Sequence, residues 1–292
     1  MCISYSDRHL STNQCACDAN EILLSRGVLS VPTKQAPRVW AQKLRKSLID
    51  LGFERIESDQ CIYIKASQDS FILIGIYVDD ILLAARNHQE AEEVPKMLGN
   101  DYKMTNLGSA KRFLGVDIIQ NPKHGSIFIH QESYLNTLLK KFGMDQCTPK
   151  MTPLPTGLDL DPENAGTLLE TDDKARYHSA VGGIMYAATH TRPDLAYAAS
   201  LLSRFVAQPQ KGHDRALQHV LRYIKGHTRY GIHYSNVRHN LYGYTDSEHG
   251  GTVHKEGRRS TSGYIFGWQT VQSPGLRRVK LPSLHQQLRL NI

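Results

Sequence analysis

Apolar side chains recur at Trp40, Leu44, Leu48 and Leu51, a spacing of three and four residues that predicts a helix with one buried face; Gly52 stands where that helix would end. Residues 61–64 and the continuous apolar run 71–78 read as strands, the second of the fully buried kind. Asp79 and Asp80 interrupt the pattern, residues 81–85 are apolar again, and a more polar helical segment covers 89–98. Residues 113–119 and 126–130 read as a strand pair joined through the turn-rich stretch 121–125. Tyr134, Leu135, Leu138, Leu139 and Phe142 form one face of a helix closed by Gly143. Pro149, Pro153, Pro155 and Pro162 mark 148–173 as a linker. Three helices follow, at 174–189, 193–206 and 211–225, with Thr191 expected to cap the second and Pro193 in its first turn. Short strand-like pieces at 231–234, 241–245 and 263–268 come last. Residues 1–33 sustain neither period and are expected to be disordered.

Composition narrows the class. At 292 residues, with 40% hydrophobic and 22% charged residues, the chain is long enough for one large or two ordinary globular domains. Its longest apolar stretch is too short to span a bilayer, and no secretory leader is evident at its start. Five cysteines, odd in number and mostly near the N-terminus, argue against a disulfide framework and for an intracellular chain, in cytoplasm or nucleus. The formal charge of +7 suits a polyanionic partner only if it is laid out on one surface, and Arg277, Arg278, Lys280 and Arg289 in the tail supply more than half of it.

The sharpest chemistry lies in Tyr77-Val78-Asp79-Asp80, two adjacent carboxylates between apolar strands. Adjacent carboxylates repel each other, and a divalent cation relieves that repulsion; a plain polar turn would use the same residues. Nucleotidyl transfer needs such a cluster, because two metal ions about 3.5–4 Å apart hold the attacking and leaving oxygens. On the helix 211–225, Lys211, Arg215, Arg222 and Lys225 share a sector opposite Ala216, Leu217, Val220, Leu221 and Ile224, a stripe suited to phosphates or simply to solvent. The fourteen histidines show no compact ligand spacing, and Cys15-Ala16-Cys17 is too close-set for a zinc knuckle. Trp40, Phe113, Tyr134 and Phe142 sit at core spacing, which favours packing over base stacking.

The stretch Tyr77–Leu83 resembles the active-site hairpin of reverse transcriptases, in the context of copia-type LTR retrotransposon polyproteins. Lys34–Trp40, Asn106–Gly115, Tyr134–Met144, Thr152-Pro153-Leu154, Tyr177–Pro193, Leu221–Gly226 and Arg258–Gly263 follow in that family's order, over about residues 34–268. The resemblance implies an α+β fold: a partial reverse-transcriptase palm (34–147), the linker 148–173, a helical connection (174–230), and the first part of an RNase H-like domain (231–268). It implies Asp79 and Asp80 as catalytic metal ligands, Asp246 as the first RNase H carboxylate, Mg²⁺ or Mn²⁺ as the metal, and an RNA/DNA template–primer as partner, with no membrane and no protein partner specified. The family's third polymerase carboxylate lies on a strand before Lys34, and residues 1–33 do not resemble it. The palm is therefore expected to have open sheet edges and no polymerase activity alone. After Trp268 the resemblance stops. Codon choices permitted by 272–292 allow a shifted frame to encode the family's next segment, including its Glu-Ala-Glu-Tyr, so 269–292 is expected to be an out-of-frame tail. Three classes stand: an RNA-directed DNA polymerase with RNase H, a non-catalytic nucleic-acid-binding remnant, and a pseudogene product without function.

Overall fold

The computed structural model describes residues 2–6, 36–67, 70–78, 80–85, 88–99, 101–102, 104–235, 240–248 and 261–269. Two compact units divide the chain after Phe113.

The first unit begins with β1 (Cys2–Ser6), in the stretch whose amino-acid pattern predicts disorder. Helix α1 (Ala36–Asp50) follows. Its buried face is the predicted one, with Leu44 and Leu48 essentially inaccessible. Gly52 ends it at φ 84°, and the pair of bonds Phe53 N–H to Leu48 O and Gly52 N–H to Ile49 O closes a Schellman cap. Strands β2 (Glu54–Arg55), β3 (Ile62–Ala66), β4 (Phe71–Tyr77) and β5 (Asp80–Ala85) come next, then α2 (His88–Leu98), β6 (Thr105–Ser109) and β7 (Arg112–Phe113). The sheet order β2-β3-β4-β5-β1-β6 is antiparallel throughout its assigned pairs. Ile81, Leu83 and Ala85 alternate into one core with Leu44 and Leu48 of α1 and Ala91, Val94 and Leu98 of α2. Both helices thus cover one face of the sheet. For that reason β4 is only half-buried, with Ile74 as its single fully buried residue, rather than covered on both sides as its apolar run suggested.

The strand β1 corrects the expected open palm edge. It pairs with β5 from Cys2↔Ala84 to Ser6↔Asp80 and with β6 on its other side. Backbone groups that would have been unpaired on β5 are therefore satisfied by the N-terminal segment.

The second unit contains β8 (Val116–Asn121), β9 (Ser126–His130) and β10 (Gly231–Ser235) as consecutive antiparallel neighbours. Its core lies among α3 (Glu132–Lys141), α4 (Thr171–His190), α5 (Ala196–Ser203) and α6 (Lys211–Gly226). Thr191 does not cap α5 as expected. It closes the end of α4, and its hydroxyl donates to Gln131 Oε1 at 2.7 Å, because a short 3₁₀ turn at Pro193–Leu195 intervenes before α5. The proline-rich stretch is ordered against the helices: Leu160 and Ala165 are buried, and Gly212 N–H bonds Ala165 O at 2.7 Å. Arg192, fully buried, holds Asp194 through two bonds of 2.9 and 2.6 Å and donates to His227 O. That satisfies a charge which would otherwise be costly inside. The last strands, β11 (Asn240–Glu248) and β12 (Thr261–Gln269), form a two-stranded antiparallel ribbon. Residues 270–292, which include nearly all of the expected out-of-frame tail, lie outside the described residues.

Candidate functional site

Asp80 sits at the foot of a two-residue hairpin turn: it pairs with Tyr77, and Val78 is the turn's first central residue. Such loops adopt primed turns, which need φ > 0 at the first central position and favour Gly, Asn or Asp there. Val78 takes that place at φ 55°. For a β-branched residue this is a strained conformation, costing on the order of 1–3 kcal/mol. The tip is open: Tyr77 and Val78 are 55% and 61% exposed. Asp80 begins β5 and is partly buried, whereas Asp79 lies outside the described residues.

Two neighbours define the surroundings of the turn. Ser6, the last residue of β1, pairs with Asp80, so three strand ends meet at this edge of the sheet. From α1, Trp40 donates its indole N–H to the Val78 carbonyl at 2.9 Å. Its ring stands edge-on to Tyr102, with centroids 5.2 Å apart and planes at 88°. Tyr102 in turn shares a 2.8 Å hydrogen bond with Ser47 of α1. Helical spacing identified Trp40 as a packing residue. It carried no sign of the polar role, because the acceptor is 38 positions away.

Among the described residues no group of three or more His, Cys, Asp or Glu is placed to hold a metal ion. Asp79 and Asp80, adjacent in the sequence, carry hard oxygen donors, the donor type that suits Mg²⁺ or Mn²⁺ rather than the nitrogen and sulfur preference of zinc.

The other expected residues belong to the second unit. Asp246 pairs with Gly263 in the β11–β12 ribbon. On α6, Lys211 and Arg215 are exposed, while Arg222 and Lys225 are partly buried. Arg222 donates from Nε to the Thr148 carbonyl at 2.7 Å, and Lys150 N–H returns a bond to the Arg222 carbonyl. His219 Nε2 also meets Thr152 O at 3.0 Å. The segment 148–152 therefore lies along the C-terminal half of the stripe, a covering that helical periodicity alone does not reveal.

No described helix is long and apolar enough to cross a membrane. Comparison with known proteins agrees with the hairpin. Residues 24–156 match the family model described as reverse transcriptase (RNA-dependent DNA polymerase). The chain is 34% identical over 237 residues, 80% of its length, to a retrovirus-related Pol polyprotein from transposon TNT 1-94 of Nicotiana tabacum, of which it spans 18%. It is 30% identical over 253 residues to a Pol polyprotein from transposon RE1 of Arabidopsis thaliana, of which it spans 17%. Over 233 residues it is 32% identical to a putative transposon Ty5-1 protein of Saccharomyces cerevisiae, covering 80% of this chain and 74% of that protein. No solved structure matches. The strand Cys2–Ser6 falls outside the matched residues, whereas the hairpin, α1 and the sheet around them fall within. A Tyr-Val-Asp-Asp turn on an antiparallel sheet and relatives matched over four-fifths of the sequence identify the chain as a member of the retrotransposon Pol family, carrying a part of its reverse-transcriptase region.

Proposed function

We propose that the hairpin Tyr77–Asp80 is the metal-binding centre of a template-directed DNA polymerase, retained here in a fragment with an incomplete catalytic set. The observation that carries this reading is the two-residue connection from Tyr77 to Asp80 at the exposed end of a sheet, in a stretch whose sequence holds two successive aspartates. Asp79 and Asp80 would hold Mg²⁺ or Mn²⁺, and Trp40 and β1 would keep the turn in place. A divalent cation bound there supplies positive charge opposite the phosphate oxygens of an incoming nucleotide. Asp246, on β11, is the corresponding ligand of an RNase H-like segment in this reading. The chain spans under a fifth of the tobacco and Arabidopsis polyproteins, so the activity of those whole proteins is not carried over to it. Among the described residues no further carboxylates gather into a metal-binding group, and in this reading the fragment alone is inactive. Primer extension on an RNA template, comparing the chain with Asp79→Asn/Asp80→Asn, tests this. Extension that disappears in the variant overturns the inactivity; absence of extension in both supports it.

A second reading, binding without catalysis, is favoured by the exposed Lys211 and Arg215 on α6. Phosphate contacts of this kind weaken steeply with salt, by a log–log slope of about −0.9 per contact on B-DNA. Arg222, tied to Thr148, adds little, and Lys211→Gln/Arg215→Gln flattens the slope of an RNA–DNA duplex titration. An unchanged slope removes this reading.

A further inference from the structure

We propose that Trp40 is a positioning residue for the acid pair: its indole N–H fixes the Val78 carbonyl, and through it the backbone that carries Asp79 and Asp80. The inference rests on the metal-site reading above and adds to it the group that holds the site's geometry. Val78 sits in the left-handed region with its side chain 61% exposed, so burial does not hold that conformation in place. The restraint comes from the main chain, through the Tyr77↔Asp80 pair on one side and the 2.9 Å indole bond on the other. The indole is itself oriented. It packs edge-on against Tyr102, whose hydroxyl is bonded to Ser47, and Lys43 lies over the Tyr102 ring at 5.4 Å. Trp40, Lys43 and Ser47 all belong to α1, so the turn is tied to a helix whose Leu44 and Leu48 are locked in the core. A phenylalanine would occupy the ring's place without the donor. The polar atom is thus the functional part of the residue.

The test is Mn²⁺ binding to the full chain, read from the EPR signal of free Mn²⁺, in wild type, Asp79→Asn/Asp80→Asn, Trp40→Phe and Val94→Ala. Wild type is expected to bind Mn²⁺ in a manner abolished by the double substitution. Trp40→Phe weakens binding by about three- to tenfold, the effect of one lost hydrogen bond. Val94→Ala removes core packing from α2 and leaves the indole and its supports intact, so it lowers the thermal midpoint and leaves Mn²⁺ affinity unchanged. Equal affinity in Trp40→Phe and wild type overturns the inference, as does an equal loss in Val94→Ala. Absence of carboxylate-dependent binding in wild type overturns the metal-site reading and the inference with it. A measurement that leaves Trp40 intact uses Trp268→Phe, in which Trp40 is the sole indole. Its emission is quenched by Mn²⁺ with the same midpoint as the EPR titration, and emission indifferent to Mn²⁺ counts against the proposal.

Discussion

Trp40 and Val78, 38 residues apart, are joined by a hydrogen bond from the indole to a carbonyl in a strained turn. The strain is local and its side chain is exposed, so it can be relieved without disturbing the core. Asparagine tolerates the left-handed conformation far better than valine. Val78→Asn is expected to stabilise the first unit by about 1 kcal/mol, measured as a raised midpoint in urea. A lowered midpoint would mean that the valine is not under strain.

The N-terminal strand can be tested through its backbone. Ser4 pairs with Leu82 in the interior of a six-stranded sheet, and proline there removes a ladder donor and clashes with the pairing. Ser4→Pro should destabilise the first unit by about 2–3 kcal/mol and speed hydrogen exchange at residues 81–84. Unchanged protection along β5 would show that β1 contributes nothing to the sheet in solution.

Two adjacent glycines of α4 make opposite predictions. A methyl group on Gly183 would come within 2.5 Å of Leu138 Cδ1 and 3.2 Å of the Tyr134 hydroxyl, whereas one on Gly182 would meet nothing. Gly183→Ala is expected to cost about 1–3 kcal/mol by overpacking the α3–α4 contact. Gly182→Ala is expected to stabilise by about 0.5–1 kcal/mol, the ordinary helix preference for alanine. Parallel thermal melts of the two variants decide the matter, and like-signed shifts contradict it.

Alkali should unfold the second unit through two buried phenols. Burial raises the Tyr177 hydroxyl, which donates to Leu202 O at 2.9 Å. Burial and the facing Asp194 raise that of Tyr223. A folded-state value above the unfolded one means that the folded chain keeps its proton longer. The associated stability is therefore intact below about pH 10, the value of a free tyrosine, and is lost as pH rises through the folded-state values. Urea midpoints measured from pH 8 to 11 should fall only at the alkaline end. The fall should be shallower in Tyr223→Phe. An equally steep fall in that variant assigns the effect to other groups.

Much of the fold could be read from spacing. The α1 face and its Gly52 cap, the helices α3 and α6, and the β4–β5 hairpin all follow from local periodicity and turn chemistry, which report on residues close in sequence. What escaped was non-local. Ile3 and Tyr5 alternate with Ser4 and Ser6, but two apolar positions amid polar neighbours carry no sustained period, and it is β5 and β6, some eighty to a hundred positions on, that supply its ladder. The capping role expected of Thr191 was lost for a similar reason, since its hydroxyl partner, Gln131, lies sixty residues earlier. In the candidate site, the Tyr-Val-Asp-Asp motif exposed the carboxylates, while the group that steadies them lay in another element and served through a single N–H.

The place that β1 occupies has a consequence for how such sequences change. Pairing on both sides of Cys2–Ser6 is made by main-chain amides and carbonyls, which every residue but proline supplies alike. A slot defined that way discriminates poorly among the peptides that can enter it. A segment can therefore complete the sheet through its main chain without adding any side-chain chemistry to it, so architecture and reactivity can be inherited separately.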